Sequence, residues 1–112
     1  MATTGDEHDD TPTVVEIYWR QGCPFCMMLR ARLKPTGLPL REVNIWEDPD
    51  AAARVRAVAD GNETVPTVFI GEHAMVNPTA NRVMAAVRDH APHLLPTRER
   101  SARWRRFFPQ LR

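Results

Sequence analysis

The chain alternates between short apolar runs and longer stretches in which apolar residues recur at helical spacing. Residues 14–19 (VVEIYW) and 40–45 (LREVNI) are rich in β-branched or aromatic side chains and have the length of strands. Two further short runs, residues 67–70 and 73–76, are separated by a Gly-Glu pair, which is typical of a hairpin turn. The pattern therefore predicts four strands.

Helical spacing marks three other stretches. Pro35 ends the first of them, which follows the two cysteines. The second and third each open on a side chain that can accept a hydrogen bond from free first-turn amides, followed by a proline: Asp48 with Pro49, then Asn77 with Pro78. The apolar residues expected to face the core are Cys26, Leu29 and Leu33 in the first helix, Ala52, Val55 and Ala59 in the second, and Ala80, Met84 and Val87 in the third.

The predicted order of elements is β-α-β-α-β-β-α. Strands joined through a helix run parallel and hairpin strands run antiparallel, so this order predicts an α/β fold with a four-stranded mixed sheet flanked by three helices. One domain is expected over residues 13–95. Residues 1–12 are acidic and are predicted to be disordered, and residues 96–112 form a basic and aromatic C-terminal tail outside the pattern.

Length and charge limit the classes of function. A chain of 112 residues with 43% hydrophobic content has room for one compact domain. Its net charge is +1, and residues 14–96 carry nine basic against nine acidic residues, which argues against nucleic-acid binding by the central domain. The sequence shows neither a secretory signal nor an apolar stretch of about 18 residues, so we expect a cytoplasmic protein.

Both cysteines lie in the segment CPFC, as Cys23 and Cys26, where the first strand leads into the first helix. In a reducing compartment such a pair is expected to be catalytic or metal-binding rather than a permanent disulfide. The free amides and the dipole at a helix start favour negative charge, so we expect Cys23 to be a reactive thiolate. Cys26 lies one turn further on the apolar face, and we expect it to be buried, to keep a higher pKa and to act as the resolving thiol.

Three neighbours of the cysteines are candidates for binding a thiol substrate. Arg20, three residues before Cys23, adds positive charge and could meet an anionic group of the substrate. Pro24 fits the first helical turn, where its missing N–H loses no hydrogen bond. Phe25 is either a rim aromatic that contacts substrate or a core residue, and the sequence does not separate the two interpretations.

A second motif is Thr64-Val65-Pro66, directly before the third predicted strand. A cis proline at this place would turn the Val65 backbone outward, where it could bind an extended thiol ligand as a sheet binds an added strand. An ordinary trans proline is the commoner case. The presence of CPFC in the same chain favours the cis form and a thiol-binding role for these three residues.

CPFC followed about 40 residues later by TVP, within this order of elements, resembles the glutaredoxin family over roughly residues 13–92. The segments VNIWEDPDAAARVRAV, GNETVPTVF and MVNPT are similar to its mycoredoxin branch, which uses mycothiol in place of glutathione. The resemblance implies a thioredoxin fold, a cis Pro66, Cys23 as nucleophile and Cys26 as resolving thiol. Because sulfur would carry the electrons, we expect no bound cofactor. We expect the substrates to be S-thiolated proteins, which carry a low-molecular-weight thiol as a mixed disulfide.

Two departures from the glutathione-using pattern bear on the identity of the small thiol. Those members usually have a basic residue just before Thr-Val-Pro and an acidic Gly-Gly-x-Asp-Asp-like stretch further on, whereas this chain has Glu63 and MVNPT. Mycothiol lacks the ammonium and carboxylate groups that such charges meet in glutathione. Mycothiol is therefore the favoured co-substrate, with glutathione as the alternative. The free amides of the helix after Asn77 are expected to help hold it.

Other functions fit the motifs less well. A zinc site would combine the two cysteines with His90 and His93, but structural zinc favours two clustered pairs in turns of their own. Pro24 disfavours an iron–sulfur cluster shared between subunits. An electron donor to ribonucleotide reductase, fed by thioredoxin reductase, usually has other residues between its cysteines and a Trp-Ser-Gly-Phe-like stretch that this chain lacks. Two inert core thiols are the simplest alternative.

The tail TRERSARWRRFFPQLR places aromatic side chains and a leucine on one helical face among arginines. This is the pattern of a helix that docks on a membrane surface or on a partner. We favour the simpler interpretation, in which the tail packs on the domain or is loose, and we expect a monomer.

Overall fold

The computed structural model describes residues 11–96, in which four strands and three α-helices follow one another in the predicted order. The strands are β1 (Val15–Trp19), β2 (Leu40–Asn44), β3 (Thr67–Ile70) and β4 (His73–Val76), and the helices are α1 (Pro24–Leu33), α2 (Pro49–Val58) and α3 (Ala80–His90). Residues 1–10 of the predicted disordered segment and residues 97–112 of the predicted tail lie outside the described residues. In the part that is described, no helix is long and apolar enough to cross a membrane.

The strands form one mixed sheet in the order β2-β1-β3-β4. β1 and β2 are parallel, and β3 is antiparallel to both β1 and β4. The C-terminal ends of β1, β2 and β4 therefore lie at the same edge of the sheet. The segments that follow these three strands, and that contain Cys23, Trp46 and Asn77 respectively, all emerge at this edge.

Successive side chains of the strands face opposite layers of the fold. Ile17 packs in a buried cluster with Leu33 of α1 and Val87 of α3, whereas its neighbour Tyr18 packs in a second cluster with Val55 of α2. α1 and α3 therefore cover one face of the sheet and α2 covers the other. This confirms the predicted fold class, a mixed sheet flanked by helices.

The predicted inner faces hold for two of the three helices. The buried residues include Cys26, Leu29 and Leu33 of α1, together with Ala52, Val55 and Ala59 at α2. For α3 the prediction is partly wrong, because Val83, Ala86 and Val87 are the buried residues. Ala80 and Met84 are only half-buried, at the margin of the same cluster. The apolar arc of α3 is wide, and spacing alone does not say which part of it faces the centre.

The predicted start of α3 is also wrong. Thr79, and not Asn77, is the N-cap, since its hydroxyl accepts a hydrogen bond from the Arg82 amide at 3.1 Å. Asn77 has a left-handed φ of 52°, which asparagine tolerates better than most residues. Its amide donates to the Pro66 carbonyl at 2.7 Å, which extends the pairing of β3 with β4 and delays the helix. Asp48 caps α2 as predicted.

Contacts of the domain reach one residue beyond its predicted N-terminal boundary. The Nε2 atom of His93 lies 2.7 Å from the carbonyl oxygen of Pro12. Pro12 also lies close to Gly71, where an added Cβ would come within 3.1 Å of the proline ring. Pro12 is therefore part of the packed structure, although it falls in the segment predicted to be disordered.

Candidate active site

Cys23 is the residue from which α1 begins. Its backbone is extended (φ −104°, ψ 105°), and its sulfur accepts a hydrogen bond from the Cys26 amide at 3.3 Å. Pro24 occupies the first helical position, where a missing N–H costs no bond. The sulfur thus takes the place of the oxygen atom that usually caps a helix, so the free amides and the helix dipole act on it. Both favour negative charge on that sulfur.

Cys26 lies one turn further along α1 and is completely buried, whereas Cys23 keeps 4% of its surface exposed. The pKa of Cys26 is raised to about 12, mainly by burial and secondly by a hydrogen bond with the Cys23 side chain. A backbone hydrogen bond with Arg20 and the charge of Arg20 lower the pKa of Cys26, but by less than burial raises it. Both cysteines are free thiols. The environments of the two thiols therefore differ in exposure and in hydrogen bonding.

The Thr64-Val65-Pro66 segment lies directly against Cys23. The Val65–Pro66 peptide bond is cis, as the resemblance implied. The Cys23 sulfur lies 3.7 Å from the Val65 carbonyl oxygen, and no hydrogen bond of the Val65 amide is found within residues 11–96. The buried Thr67 hydroxyl donates to the Thr64 carbonyl at 2.8 Å and holds the segment from behind. One backbone donor of the segment is therefore left available next to the sulfur.

Arg20 and Phe25 border the cysteines on different sides. The guanidinium of Arg20 lies over the Trp46 ring, 5.8 Å from its centroid, toward the β2 side of the site. Phe25 is 61% exposed, so of the two interpretations that the sequence left open, the rim position is the observed one. Asn77 lies on the β4 side, next to Pro66. The structure thus brings the predicted residues to one edge of the sheet, with Arg20 and Asn77 at opposite ends.

A groove of about 500 Å³ opens beside Phe25, between α1 and the start of α3. Met28 and Arg32 line it on α1, and residues 77–81 form the opposite wall. Sequence reasoning had singled out Phe25 and Asn77 but missed Met28, Arg32 and the far end of this wall. Those residues belong to two segments that are distant in sequence, so no local spacing could have connected them.

The two histidines of the zinc alternative are engaged elsewhere. The His90 ring stacks on His73, with centroids 4.1 Å apart, and His93 contacts the Pro12 carbonyl. Within residues 11–96, no three side chains of the His, Cys, Asp or Glu type converge in a way that could hold a metal ion. The structure therefore does not bring these histidines and the cysteines together.

Two unlike thiols at the start of a helix, facing a cis-proline segment at one edge of a four-stranded mixed sheet, define a dithiol protein of the thioredoxin fold. The glutaredoxin family model matches residues 15–75. The chain belongs to the glutaredoxin family, a family of thiol–disulfide oxidoreductases.

Comparison with individual proteins agrees with this assignment. Mycoredoxin 1 of Corynebacterium glutamicum is 39% identical over 75 residues, which cover 65% of this chain and 91% of that protein. A probable glutaredoxin of Synechocystis is 33% identical over 72 residues, covering 64% of this chain and 66% of the relative's length. The structure of the glutaredoxin-like NrdH-redoxin from Escherichia coli superposes with a TM-score of 0.51 at 25% identity, covering 62% of this chain and 92% of that one.

Proposed function

We propose that this protein reduces mixed disulfides between proteins and a low-molecular-weight thiol, and that mycothiol is the favoured thiol. The observation that carries the proposal is the position of the Cys23 sulfur, which caps α1 and lies 3.7 Å from the Val65 carbonyl oxygen. A sulfur in this place has amides that stabilise its anion and a backbone edge that can align a bound thiol. Cys23 is the proposed nucleophile.

The proposed reaction is a pair of thiol–disulfide exchanges. The Cys23 thiolate attacks the small-thiol sulfur of the mixed disulfide, a new S–S bond forms, and the protein substrate leaves as a thiolate that takes up a proton. A second small thiol then attacks this bond and leaves as a symmetric disulfide with the first, which regenerates the Cys23 thiolate. Alternatively Cys26 loses its proton, attacks Cys23 and releases the small thiol, leaving a Cys23–Cys26 disulfide. The electrons travel on sulfur throughout, so no bound cofactor is required.

The small thiol would be held by backbone and rim groups around Cys23. The free Val65 amide, within the Thr64-Val65-Pro66 segment, would pair with the backbone-like amide of the ligand. Arg20 supplies positive charge on one side. On the other side Asn77 has already committed its own amide to Pro66, so the amides that follow it at the start of α3 are the ones proposed to contribute.

The charges around the site support mycothiol over glutathione. The position directly before Thr64, which is usually basic in glutathione-using members, holds Glu63. This acid forms a salt bridge with Arg56 at 2.6 Å and cannot itself bind a carboxylate of glutathione. Residues 75–79, at the end of β4 and directly after it, carry no carboxylate to meet an ammonium group. Relatedness to mycoredoxin 1 is in keeping with this choice. We further propose that the protein acts as a monomer in the cytoplasm.

The test is turnover of a peptide mixed disulfide with mycothiol and its reductase, compared with glutathione and its reductase. The wild type is expected to prefer mycothiol, the Cys23→Ser protein to be inactive, and the Cys26→Ser protein to retain activity through the second small thiol. Full activity of the Cys23→Ser protein would contradict the mechanism. A preference for glutathione would reassign the thiol, and efficient reduction by thioredoxin reductase alone would favour the role of electron donor.

A further inference from the structure

The groove between α1 and α3 is continuous with the proposed thiol site. The Cys23 sulfur faces the Val65 carbonyl oxygen at 3.7 Å, and the next residue, Pro66, accepts a hydrogen bond from the Asn77 amide at 2.7 Å. Asn77 is itself part of the groove wall. A ligand whose sulfur is bonded to Cys23 and whose first amide lies along Val65 can therefore extend into the groove.

The size of the groove exceeds what a cysteine derivative needs. Pockets for organic ligands typically range from about 300 to 1,000 Å³, and this one measures about 500 Å³. It extends along α1 from Phe25 past Met28 to Arg32, about two helical turns further along the helix. The far end of the groove thus lies beyond the reach of the cysteinyl part of a bound thiol.

The described lining combines apolar surface with hydrogen-bonding groups, of which only Arg32 is charged. Phe25 and Met28 are 61% and 51% exposed and form an apolar floor on the α1 side. Thr79 and Asn81 contribute a hydroxyl and an amide on the opposite wall, and Arg32 contributes donors at the far end. Flat apolar surface next to mixed donors and acceptors suits a ring that carries C–H groups on its faces and hydroxyl groups on its edge.

The charge of the groove disfavours an occupant that carries an ammonium group. Its described lining includes the cation Arg32 and no carboxylate. An ammonium group placed there would lose water without gaining a partner of opposite charge, which is costly. The lining therefore disfavours the ammonium group of a peptide thiol and accepts a neutral polyol.

We propose that this groove binds the uncharged, polyhydroxylated ring portion of the small thiol, and that Arg32 and Asn81 are specificity-determining residues. The inference rests on the proposed function, because it assigns the distal half of the thiol whose sulfur reacts at Cys23. Neither Arg32 nor Asn81 contacts the reacting sulfur atoms, so both act on the affinity for the thiol and not on the exchange itself.

The experiment compares two peptide mixed disulfides in single-turnover assays with the full chain, measuring the second-order rate of peptide release. One carries mycothiol, and the other carries N-acetylcysteine, which has the same reacting group without the rings. The Arg32→Ala/Asn81→Ala double variant is expected to lose about tenfold in rate with the mycothiol substrate, as the loss of two modest hydrogen bonds implies. Its rate with the N-acetylcysteine substrate is expected to stay within about twofold of wild type.

A matched control is Arg88→Ala, which removes an exposed arginine of α3 that is outside the groove lining. Both rates should be unchanged in this variant. Equal losses with both substrates in the double variant, or no loss with either, would overturn the proposal. So would a wild type that uses the two substrates equally well. None of these results would contradict exchange at Cys23, which fails separately if the Cys23→Ser protein releases peptide as fast as wild type.

Discussion

The Cys23 sulfur lies 3.7 Å from the carbonyl oxygen of Val65, a residue 42 positions later in the chain. Two consequences follow from this contact. A thiol bonded to Cys23 begins its path next to the Val65 backbone, and any change that displaces the Thr64-Val65-Pro66 segment acts directly on that path. Because Cys23 and Val65 lie 42 positions apart in the chain, a mutation in the Thr64-Val65-Pro66 segment can change binding of the thiol without replacing the reactive cysteine.

Cys26 should remain unreactive toward an external alkylating reagent over the physiological pH range and well above it. Burial is the largest cause that raises its pKa to about 12, so this thiol stays protonated as the pH rises from about 7 to about 10. The Cys23→Ser variant retains that burial, and we expect its Cys26 to be alkylated by iodoacetamide only slowly throughout this range. Mass spectrometry of the native protein after timed alkylation measures the rate.

The Cys26→Ser variant is the matched control, since it leaves Cys23 as the sole thiol, and it should be alkylated rapidly at neutral pH. Alkylation of Cys26 in the Cys23→Ser variant with a midpoint near pH 9, the ordinary value for a cysteine, would show that the thiol is accessible. The assignment of unlike roles to the two cysteines would then be wrong.

The Thr67→Val variant should impair substrate binding as well as stability. The fully buried Thr67 hydroxyl donates to the Thr64 carbonyl at 2.8 Å, and loss of one such bond costs about 1 kcal/mol of unfolding free energy. Because Thr64 belongs to the proposed thiol-binding segment, we also expect KM for a mixed-disulfide substrate to rise severalfold with little change in kcat. Urea unfolding and steady-state kinetics measure the two effects.

Thr36→Val is the control for this prediction. Its hydroxyl likewise donates to a backbone carbonyl, that of Leu33, at the opposite end of α1 from the cysteines. The stability loss should be comparable, while KM should not change. If KM rises equally in both variants, the effect comes from general loosening of the domain and not from the Thr64-Val65-Pro66 segment.

Arg54 should contribute far more to stability than Arg41, although both pair with Glu16. Arg54 donates to Glu16 at 2.8 Å and to the Tyr18 hydroxyl at 2.7 Å, and its guanidinium lies 3.8 Å from the centroid of the Phe69 ring. Arg54→Met leaves these partly buried acceptors without their donor, which should lower the unfolding free energy by about 2 kcal/mol.

Arg41 lies 3.7 Å from Glu16 with 67% of its side chain exposed. An exposed pair of this kind contributes little, so Arg41→Met should change the unfolding free energy by less than about 0.5 kcal/mol. Chemical denaturation of both variants under the same conditions makes the comparison. Similar losses would mean that the net charge near Glu16, and not the hydrogen-bonded position of Arg54, is what matters.

His73 should titrate below the ordinary histidine range. Burial is the main cause that lowers its pKa, and the charges of His90 and Arg82 lower it further. Since the lowered pKa favours the neutral form in the folded protein, the associated stability is present above about pH 6.5 and is lost as the pH falls through the lowered value. In the His90→Gln variant we expect the pKa of His73 to rise, but to stay below the ordinary value of 6.5.

NMR titration of the imidazole protons measures this shift. His93→Gln is a suitable control, since His93 contacts Pro12 and is not among the causes of the shift in His73. A His73 pKa that does not move in the His90→Gln variant would rule out coupling across the stacked pair.

The positions of most elements follow from local rules. A short apolar run bounded by turn residues and the helical spacing of apolar residues are both local signals. The run 67–70 and the stripe of Cys26, Leu29 and Leu33 could therefore be predicted one segment at a time. Asn77 shows the limit of such rules. Asn77-Pro78 carries the same local start signal as Asp48-Pro49, but the Asn77 amide pairs with Pro66 instead.

That two thiols lie one helical turn apart at the start of a helix follows from the sequence alone, because CPFC after a strand is a local arrangement. What faces these thiols depends on how the chain folds as a whole. The contact of Cys23 with Val65 and the groove of Phe25, Arg32 and Asn81 join segments that are remote in sequence. Such contacts depend on how the sheet orders its strands and on how α1 packs beside α3, and no periodicity within one segment encodes either.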